Sequence, residues 1–103
     1  MLVFLTHRRL KEGTFEQFRK AWEPEQMPEG IREVAYHARS LDDPDEIISF
    51  GLANDLSRED LPGLMEKFDE GEEAERQRRM AEFVEWTGVD RVFEVVDEVR
   101  WET

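Results

Sequence analysis

The 103-residue chain has 26 acidic and 14 basic residues, a net charge of −12, and no cysteine. This negative charge disfavours nucleic acid and anionic membranes as partners, because phosphate groups are bound by basic patches. The lack of cysteine excludes disulfides, thiol nucleophiles and cysteine metal sites. Since no apolar run approaches the about 20 residues that span a bilayer, we expect one soluble, cytoplasmic domain over residues 1–103.

The first half of the chain predicts a strand, a helix and a β-hairpin. Residues 2–9 form the strand, and Thr14 opens the helix through a capping box with a glutamine three residues later. Apolar side chains recur along this helix at helical spacing. Residues 31–41 and 46–53 are the two strands of the hairpin, joined by an Asp-Asp-Pro-Asp turn.

The second half predicts two helical segments and a last strand. Ser57 begins the first segment with another capping pattern. Gly71 interrupts the helical region after this segment. Residues 72–86 continue as a helix, and Gly88 ends it as a left-handed cap would. Residues 91–101 alternate apolar and polar side chains, as in a strand.

The order strand, helix, strand, strand, helix, strand predicts a ferredoxin-like α+β domain. Right-handed crossovers place both helices on one face of a four-stranded antiparallel sheet. The first and third strands are expected at its centre.

The third predicted strand alternates between a bulky face and a small one. The bulky face consists of Ile48, Phe50 and Leu52. The small face consists of Ile47, Ser49, Gly51 and Ala53. We expect the helices to cover the bulky face and the small face to line a cavity. The side of the sheet without helices would be apolar and exposed, which is typical of an interface. Two copies are therefore predicted to pack sheet against sheet as a closed homodimer.

Over residues 2–99 the chain resembles the dimeric α/β barrel proteins and, within them, the antibiotic biosynthesis monooxygenase family. The likeness rests on the opening strand before Leu-Lys-Glu-Gly-Thr at 10–14, the hairpin tip Arg-Ser-Leu-Asp-Asp-Pro at 39–44, and Val-Phe-Glu-Val at 92–95. The resemblance implies a ferredoxin-like dimeric α/β barrel. Relatives include cofactor-independent oxygenases of aromatic polyketides, haem-degrading enzymes and small proteins without an assigned reaction.

Two departures from the family pattern bear on the chemistry. Members often carry a tryptophan near the end of the third strand, where this chain has Ala53. Haem degraders carry an asparagine on the first strand and a histidine on the second helix. This chain has Thr6 or Arg8 at the first position and no histidine after residue 37. The resemblance therefore disfavours haem degradation and is compatible with an oxygenase.

Three residues are candidates for catalysis: His37, Tyr36 and Arg8. A histidine suits a general base because its pKa lies near working pH. Tyr36 and His37 point to opposite faces, and the hairpin register decides which of them faces the cavity. Arg8 could reach an anionic substrate at the cavity mouth. His7 is expected to face the helices as a solvated or hydrogen-bonded strand-end residue.

Candidates for substrate binding come from the two central strands. They are Phe4, Thr6, Ser49, Gly51 and Ala53. The sequence has no phosphate-cradling glycine-rich loop, nicotinamide fingerprint or metal-ligand cluster, so we expect no cofactor and no metal. We predict a monooxygenase-like enzyme for an aromatic or largely apolar small molecule held between sheet and helices, working without metal or flavin. The alternative is a non-catalytic ligand-binding or accessory dimeric protein, because a fold does not fix a function.

Overall fold

The computed structural model describes residues 1–102, which form four strands and three helices. In chain order the elements are β1 (Leu2–Leu10), α1 (Phe15–Trp22), β2 (Val34–Arg39), β3 (Glu46–Ala53), α2 (Leu61–Glu66), α3 (Glu70–Ala81) and β4 (Val84–Glu94). A single 3₁₀ turn, Arg58–Asp60, precedes α2. Within residues 1–102 no helix combines the length and the apolar character needed to cross a membrane.

The strands form one antiparallel sheet in the order β2-β3-β1-β4. The predicted ferredoxin-like α+β fold is therefore confirmed, with the first and third strands at the centre. The predicted hairpin is confirmed as well, and β3 has the predicted limits.

The core lies between one face of the sheet and the two longer helices, α1 and α3. Its buried residues are Leu10, Phe18, Ala21, Ile47 and Met80. The aromatic residues of α1 recur every three or four positions and so project from one side of the helix. Phe18 is fully buried, and Phe15 and Trp22 are partly buried against the core.

The two predicted helix starts differ in their outcome. The Oγ1 of Thr14 donates to the carbonyl oxygen of Lys11 at 2.8 Å and does not cap α1, so the predicted capping box is wrong there. Ser57 and Asp60 do form a capping box, with the Ser57 N–H donating to Asp60 Oδ2 at 2.8 Å. The second prediction is confirmed.

The two faces of β3 are the reverse of the prediction. The small residues lie beneath the helices, on what we call the covered face, where Ile47, Ser49, Gly51 and Ala53 are buried. The bulky residues point to the side without helices, which we call the open face. These are Ile48, Phe50 and Leu52. The reason is steric: the aromatic side chains of α1 fill the space above the sheet, and small strand residues leave room for them.

Strand β1 follows the same division. Its even-numbered residues pair with the small residues of β3 and lie on the covered face, with Phe4 opposite Gly51 and Thr6 opposite Ser49. His7 therefore lies on the open face, where Nε2 is 2.9 Å from Glu46 Oε2. The expectation that His7 faces the helices is wrong, because it depended on the inverted faces.

The boundary between α3 and β4 lies earlier than predicted. Asp69 begins α3, its Oδ1 accepting the Glu72 N–H at 2.9 Å, so the helix includes Gly71. The helix ends at Ala81, whereas the sequence predicted a helix to residue 86. Apolar residues at 80, 83 and 84 pack on the core in either conformation, so their spacing did not separate helix from strand.

Gly88 lies inside β4 rather than at a helix end. The register between β1 and β4 shifts between His7 and Arg8, so β4 carries an extra residue there, a β-bulge. A Cβ on Gly88 would lie 3.1 Å from both His7 Nδ1 and the Trp86 ring. The close approach favours glycine here, and the predicted left-handed cap is wrong.

The predicted last strand ends seven residues early. β4 stops at Glu94, and the Val95 N–H adds one further hydrogen bond, to the Met1 carbonyl oxygen at 3.0 Å. The remaining described residues, 96–102, form no strand in the single protomer.

Candidate functional site

One polar residue from each strand lies at the same level of the covered face. His37 of β2 pairs with Ser49 of β3, which pairs with Thr6 of β1, which pairs with Asp90 of β4. We call these four residues the polar row. Polar groups withdrawn from water are costly unless they are hydrogen-bonded. Ser49 is buried and Thr6 and His37 are half-buried, whereas Asp90 is exposed on the edge strand β4. The three residues withdrawn from water mark a candidate site.

His37 is held at one end of the polar row. Its Nδ1 lies 2.7 Å from Ser49 Oγ, and its ring meets Trp22 edge-on with centroids 4.6 Å apart. Phe15 and Phe18 approach the same ring at 6.0 and 6.1 Å. Because three aromatic residues of α1 surround the imidazole, its orientation is fixed by packing as well as by the hydrogen bond.

The other ring nitrogen of His37 has no partner. Nε2 is buried, and no atom of residues 1–102 hydrogen-bonds to it. An unpaired buried polar group costs about 1–3 kcal/mol. When a neutral ring carries its hydrogen on Nδ1 and donates it to Ser49, Nε2 has a free lone pair, which is the form a general base requires.

The surroundings of His37 favour the neutral ring. Burial lowers the pKa of His37 below 6.5, and the positive charges of Arg19 and Arg8 lower it further, while Glu23 opposes them. The imidazole is therefore able to accept a proton at neutral pH.

The lowered pKa makes stability depend on pH. Between the unfolded pKa near 6.5 and the lower native pKa, the unfolded chain binds a proton at residue 37 that the native protein does not bind. The free energy of unfolding should therefore fall as pH drops below 6.5, by at most about 1.4 kcal/mol per pH unit from this group. His37→Gln should remove this component, as urea unfolding at several pH values would measure. Parallel stability curves for the two proteins would contradict the account.

Arg8 is buried beside the polar row, with 5% of its surface exposed. Its Nη1 donates to Thr6 Oγ1 at 2.8 Å, and its guanidinium carbon lies 5.4 Å from the centre of the Phe18 ring. No carboxylate of residues 1–102 lies within 4.0 Å of it. Burial lowers the pKa of Arg8, the more distant Asp90 raises it, and Arg76 lowers it.

A cleft of about 290 Å³ opens next to Arg8, between α3 and β4. Gln77 and Met80 border it from the helix, and Trp86 and Asp90 border it from the strand. A small molecule entering here would first meet Arg8 and Asp90, at the β4 end of the polar row.

The space above Gly51, expected to be a cavity, holds the carboxyl group of Glu33. A Cβ on residue 51 would overlap Glu33 Oε1. Burial of that carboxyl group raises the pKa of Glu33, and the positive charge of Arg76 opposes the shift. The residue as a whole is exposed, so its flexible side chain can leave this position without disturbing the sheet.

The structure brings seven of the eight predicted site residues to the covered face. They are Phe4, Thr6, Arg8, His37, Ser49, Gly51 and Ala53. Of these, Arg8 borders the cleft between α3 and β4. Tyr36 lies on the open face, where its ring stacks on Phe50 with centroids 5.3 Å apart. The register thus places His37, not Tyr36, beneath the helices, and Tyr36 is outside this site.

Three residues of the site were missed in the sequence. Asp90 was placed between a helix and a strand, whereas it continues β4. Glu33 precedes β2, and its position above Gly51 has no signal in the sequence. Trp22 shares the apolar spacing of α1, which predicts packing, but its ring also contacts His37. The guanidinium carbons of Arg19 and Arg76 lie 5.1 and 5.5 Å from the centre of the Trp22 ring.

Residues 1–102 contain no group of three His, Asp or Glu side chains arranged to hold a metal ion.

Comparison with known proteins supports the fold. The chain is similar to a crystal structure provisionally identified as an antibiotic biosynthesis monooxygenase from Chloroflexus aurantiacus J-10-fl, with a TM-score of 0.64 and 12% sequence identity. The match covers 96% of each chain. At this identity the likeness shows the fold alone. No protein-family model matches the chain, and no curated protein matches it.

Proposed function

We propose that the protein is a monooxygenase-like enzyme that oxidises a hydroxylated aromatic, or otherwise largely apolar, small molecule held between the sheet and the helices. The observation that carries this proposal is the buried, unpartnered Nε2 of His37. The fold shared with a protein provisionally described as a monooxygenase supports it.

His37 would act as the general base. Its Nε2 takes the proton of a phenolic hydroxyl, and the resulting phenolate is electron-rich enough to reduce dioxygen without a metal or flavin. For a substrate with an activated methylene group, carbon becomes a carbonyl, one oxygen atom enters the product and the other leaves as water. The methylene carbon supplies all four electrons.

The aromatic residues around His37 would position the substrate ring. Phe15 and Trp22 present apolar surface next to Nε2, and aromatic pairs prefer offset or edge-on contacts of this kind. Trp22 is the last residue of α1 and is half-buried. Its displacement would uncover the imidazole that its ring now contacts.

The active form would be a homodimer joined through the open face. That face exposes large apolar side chains in the single protomer, among them Val34, Tyr36 and Ile48 at 55%, 51% and 42%. Contiguous apolar surface of this kind is typical of protein interfaces. The bulky residues predicted to pack on the helices are therefore better explained as the contact between two copies.

The second candidate function is non-catalytic ligand binding. The observation that favours it is that the carboxyl group of Glu33 fills the space above Gly51. The small residues of β3 therefore do not form an open cavity for a substrate. A binding protein needs the cleft and the polar row but not a base in contact with the substrate.

Oxygen uptake by the purified protein with a panel of hydroxylated aromatic compounds separates the two candidates. Monooxygenation predicts uptake without added metal or flavin, and one ¹⁸O atom in the product when ¹⁸O₂ is supplied. Binding of an aromatic compound without oxygen uptake would overturn the enzymatic proposal in favour of the binding protein. Neither binding nor uptake would overturn both.

A further inference from the structure

We infer that Arg8 binds a carboxylate of the ligand, so that the site takes small, singly charged aromatic acids. The inference rests on the proposed function for placing a ligand beside the polar row. It specifies that the ligand carries a negative charge, which a general base at His37 does not require.

The first step is that Arg8 has more hydrogen-bonding capacity than the protein uses. A guanidinium carries five N–H donors, and one hydrogen bond within residues 1–102, to Thr6, is formed at 2.8 Å. Removing a charged group from water costs several kcal/mol unless a counter-ion and hydrogen bonds replace the water. Arg8 is only 5% exposed and no carboxylate lies within 4.0 Å, so its remaining N–H donors are free to bind an anion.

The second step is that an anion can reach this guanidinium. Arg8 forms part of the wall of the cleft of about 290 Å³ between α3 and β4. Met80 and Trp86 supply apolar wall next to it, and such a mixture of apolar surface and a few polar groups is typical of small-molecule sites.

The third step is that the cleft selects among anions. Asp90 and Glu85 also border it, and the chain has a net charge of −12. These negative charges repel doubly charged groups such as phosphate monoesters more than a carboxylate. A carboxylate also matches the planar fork of a guanidinium, which favours two parallel hydrogen bonds.

The fourth step is that Arg8 and His37 can act on one ligand. Both lie against the same Phe18 ring, the guanidinium carbon at 5.4 Å and the imidazole centroid at 6.1 Å from its centre. Phe18 is fully buried in the ligand-free protein, so its ring must move aside for a carboxylate on Arg8 to direct the rest of an aromatic acid toward Nε2.

Binding of three matched probes tests the inference on the unmodified protein. Benzoate, benzamide and phenyl phosphate share a phenyl ring and differ in the charge of the substituent. We expect calorimetry or NMR titration to show millimolar or tighter binding for benzoate, and binding at least about tenfold weaker for the other two. Equal affinities, or no benzoate binding, would overturn the inference.

A variant pair then assigns the effect to Arg8. Arg8→Met keeps an unbranched apolar stem but removes the guanidinium, and it should weaken benzoate binding at least about tenfold. Arg39→Met is the control, since Arg39 lies at the same level of the covered face, through Ile47, but is exposed at the sheet edge. It should leave the affinity unchanged. Equal losses in both variants would contradict a role specific to Arg8.

Stability gives a second readout for Arg8→Met. Replacing a buried, unpaired charge with an apolar side chain is often neutral or stabilising, so the variant should melt no lower than the unmodified protein. A variant that fails to fold would show that Arg8 is structural and would overturn the inference. Benzoate binding without oxygen uptake would leave the inference standing and remove only the proposed oxygenase reaction.

Discussion

Replacing His37 with glutamine should lower the rate of oxygen uptake with an active hydroxylated aromatic substrate by about 100-fold or more. A positioned general base typically contributes 10²- to 10⁴-fold, and glutamine cannot accept the proton. Its amide can still hydrogen-bond to Ser49, which lies 2.7 Å from the ring nitrogen it replaces. The measurement is initial rate in an oxygen electrode, with substrate affinity determined separately.

The control is the other histidine of the chain. His7 lies on the open face next to Glu46, so His7→Gln should retain the rate. The comparison requires that the variant and the unmodified protein have the same oligomeric state. The pH profile adds a second check: because the pKa of His37 is lowered by burial, the rate should stay high below pH 6.5, where a free imidazole would be protonated. Equal rates for His37→Gln and the unmodified protein would exclude His37 as the base.

Replacing Ile48 with aspartate should convert the proposed homodimer to a monomer. Ile48 lies in a central strand on the open face and is 42% exposed in the single protomer, so the substitution should disturb the folded protomer little. In the dimer it would place a carboxylate in an apolar contact, and burial of an unpaired charge costs several kcal/mol. Twofold symmetry doubles the effect. Light scattering coupled to gel filtration reports the mass.

Met65 provides the matched control outside the sheet. It is 58% exposed on α2, so Met65→Asp introduces the same charge at another exposed apolar residue and should leave the dimer intact. Loss of the dimer in both variants would point to a general effect of added negative charge. An unmodified protein that is monomeric at all accessible concentrations would contradict the dimer itself.

The fold was predictable because its signals are local and consistent. The turn at 42–45 fixed the hairpin, and the aromatic spacing at Phe15, Phe18 and Trp22 fixed α1. Near residue 84 the signals are ambiguous, since Phe83 and Val84 reach the core from either a helix or a strand. The boundary of β4 was therefore misplaced.

The candidate site was predictable in composition but not in orientation. Alternation correctly grouped Thr6 with Arg8, and Ser49 with Gly51. Which group faces the helices depends on how much volume α1 contributes, and this is a tertiary property. The small residues of β3 were expected on the side of the sheet without helices. They lie beneath the helices instead, where they make room for Phe18. Contacts between distant segments, such as Glu33 above Gly51, have no local signal.

We propose that the ligand binds to the face of the sheet beneath the helices and that His37 Nε2 finds its missing partner there. The most direct test is ¹⁵N NMR of the two histidine side chains during titration with a hydroxylated aromatic acid. We expect the His37 Nε2 resonance to shift with saturation while the His7 resonances stay unchanged. A ligand that binds and shifts His7, or neither histidine, would contradict it.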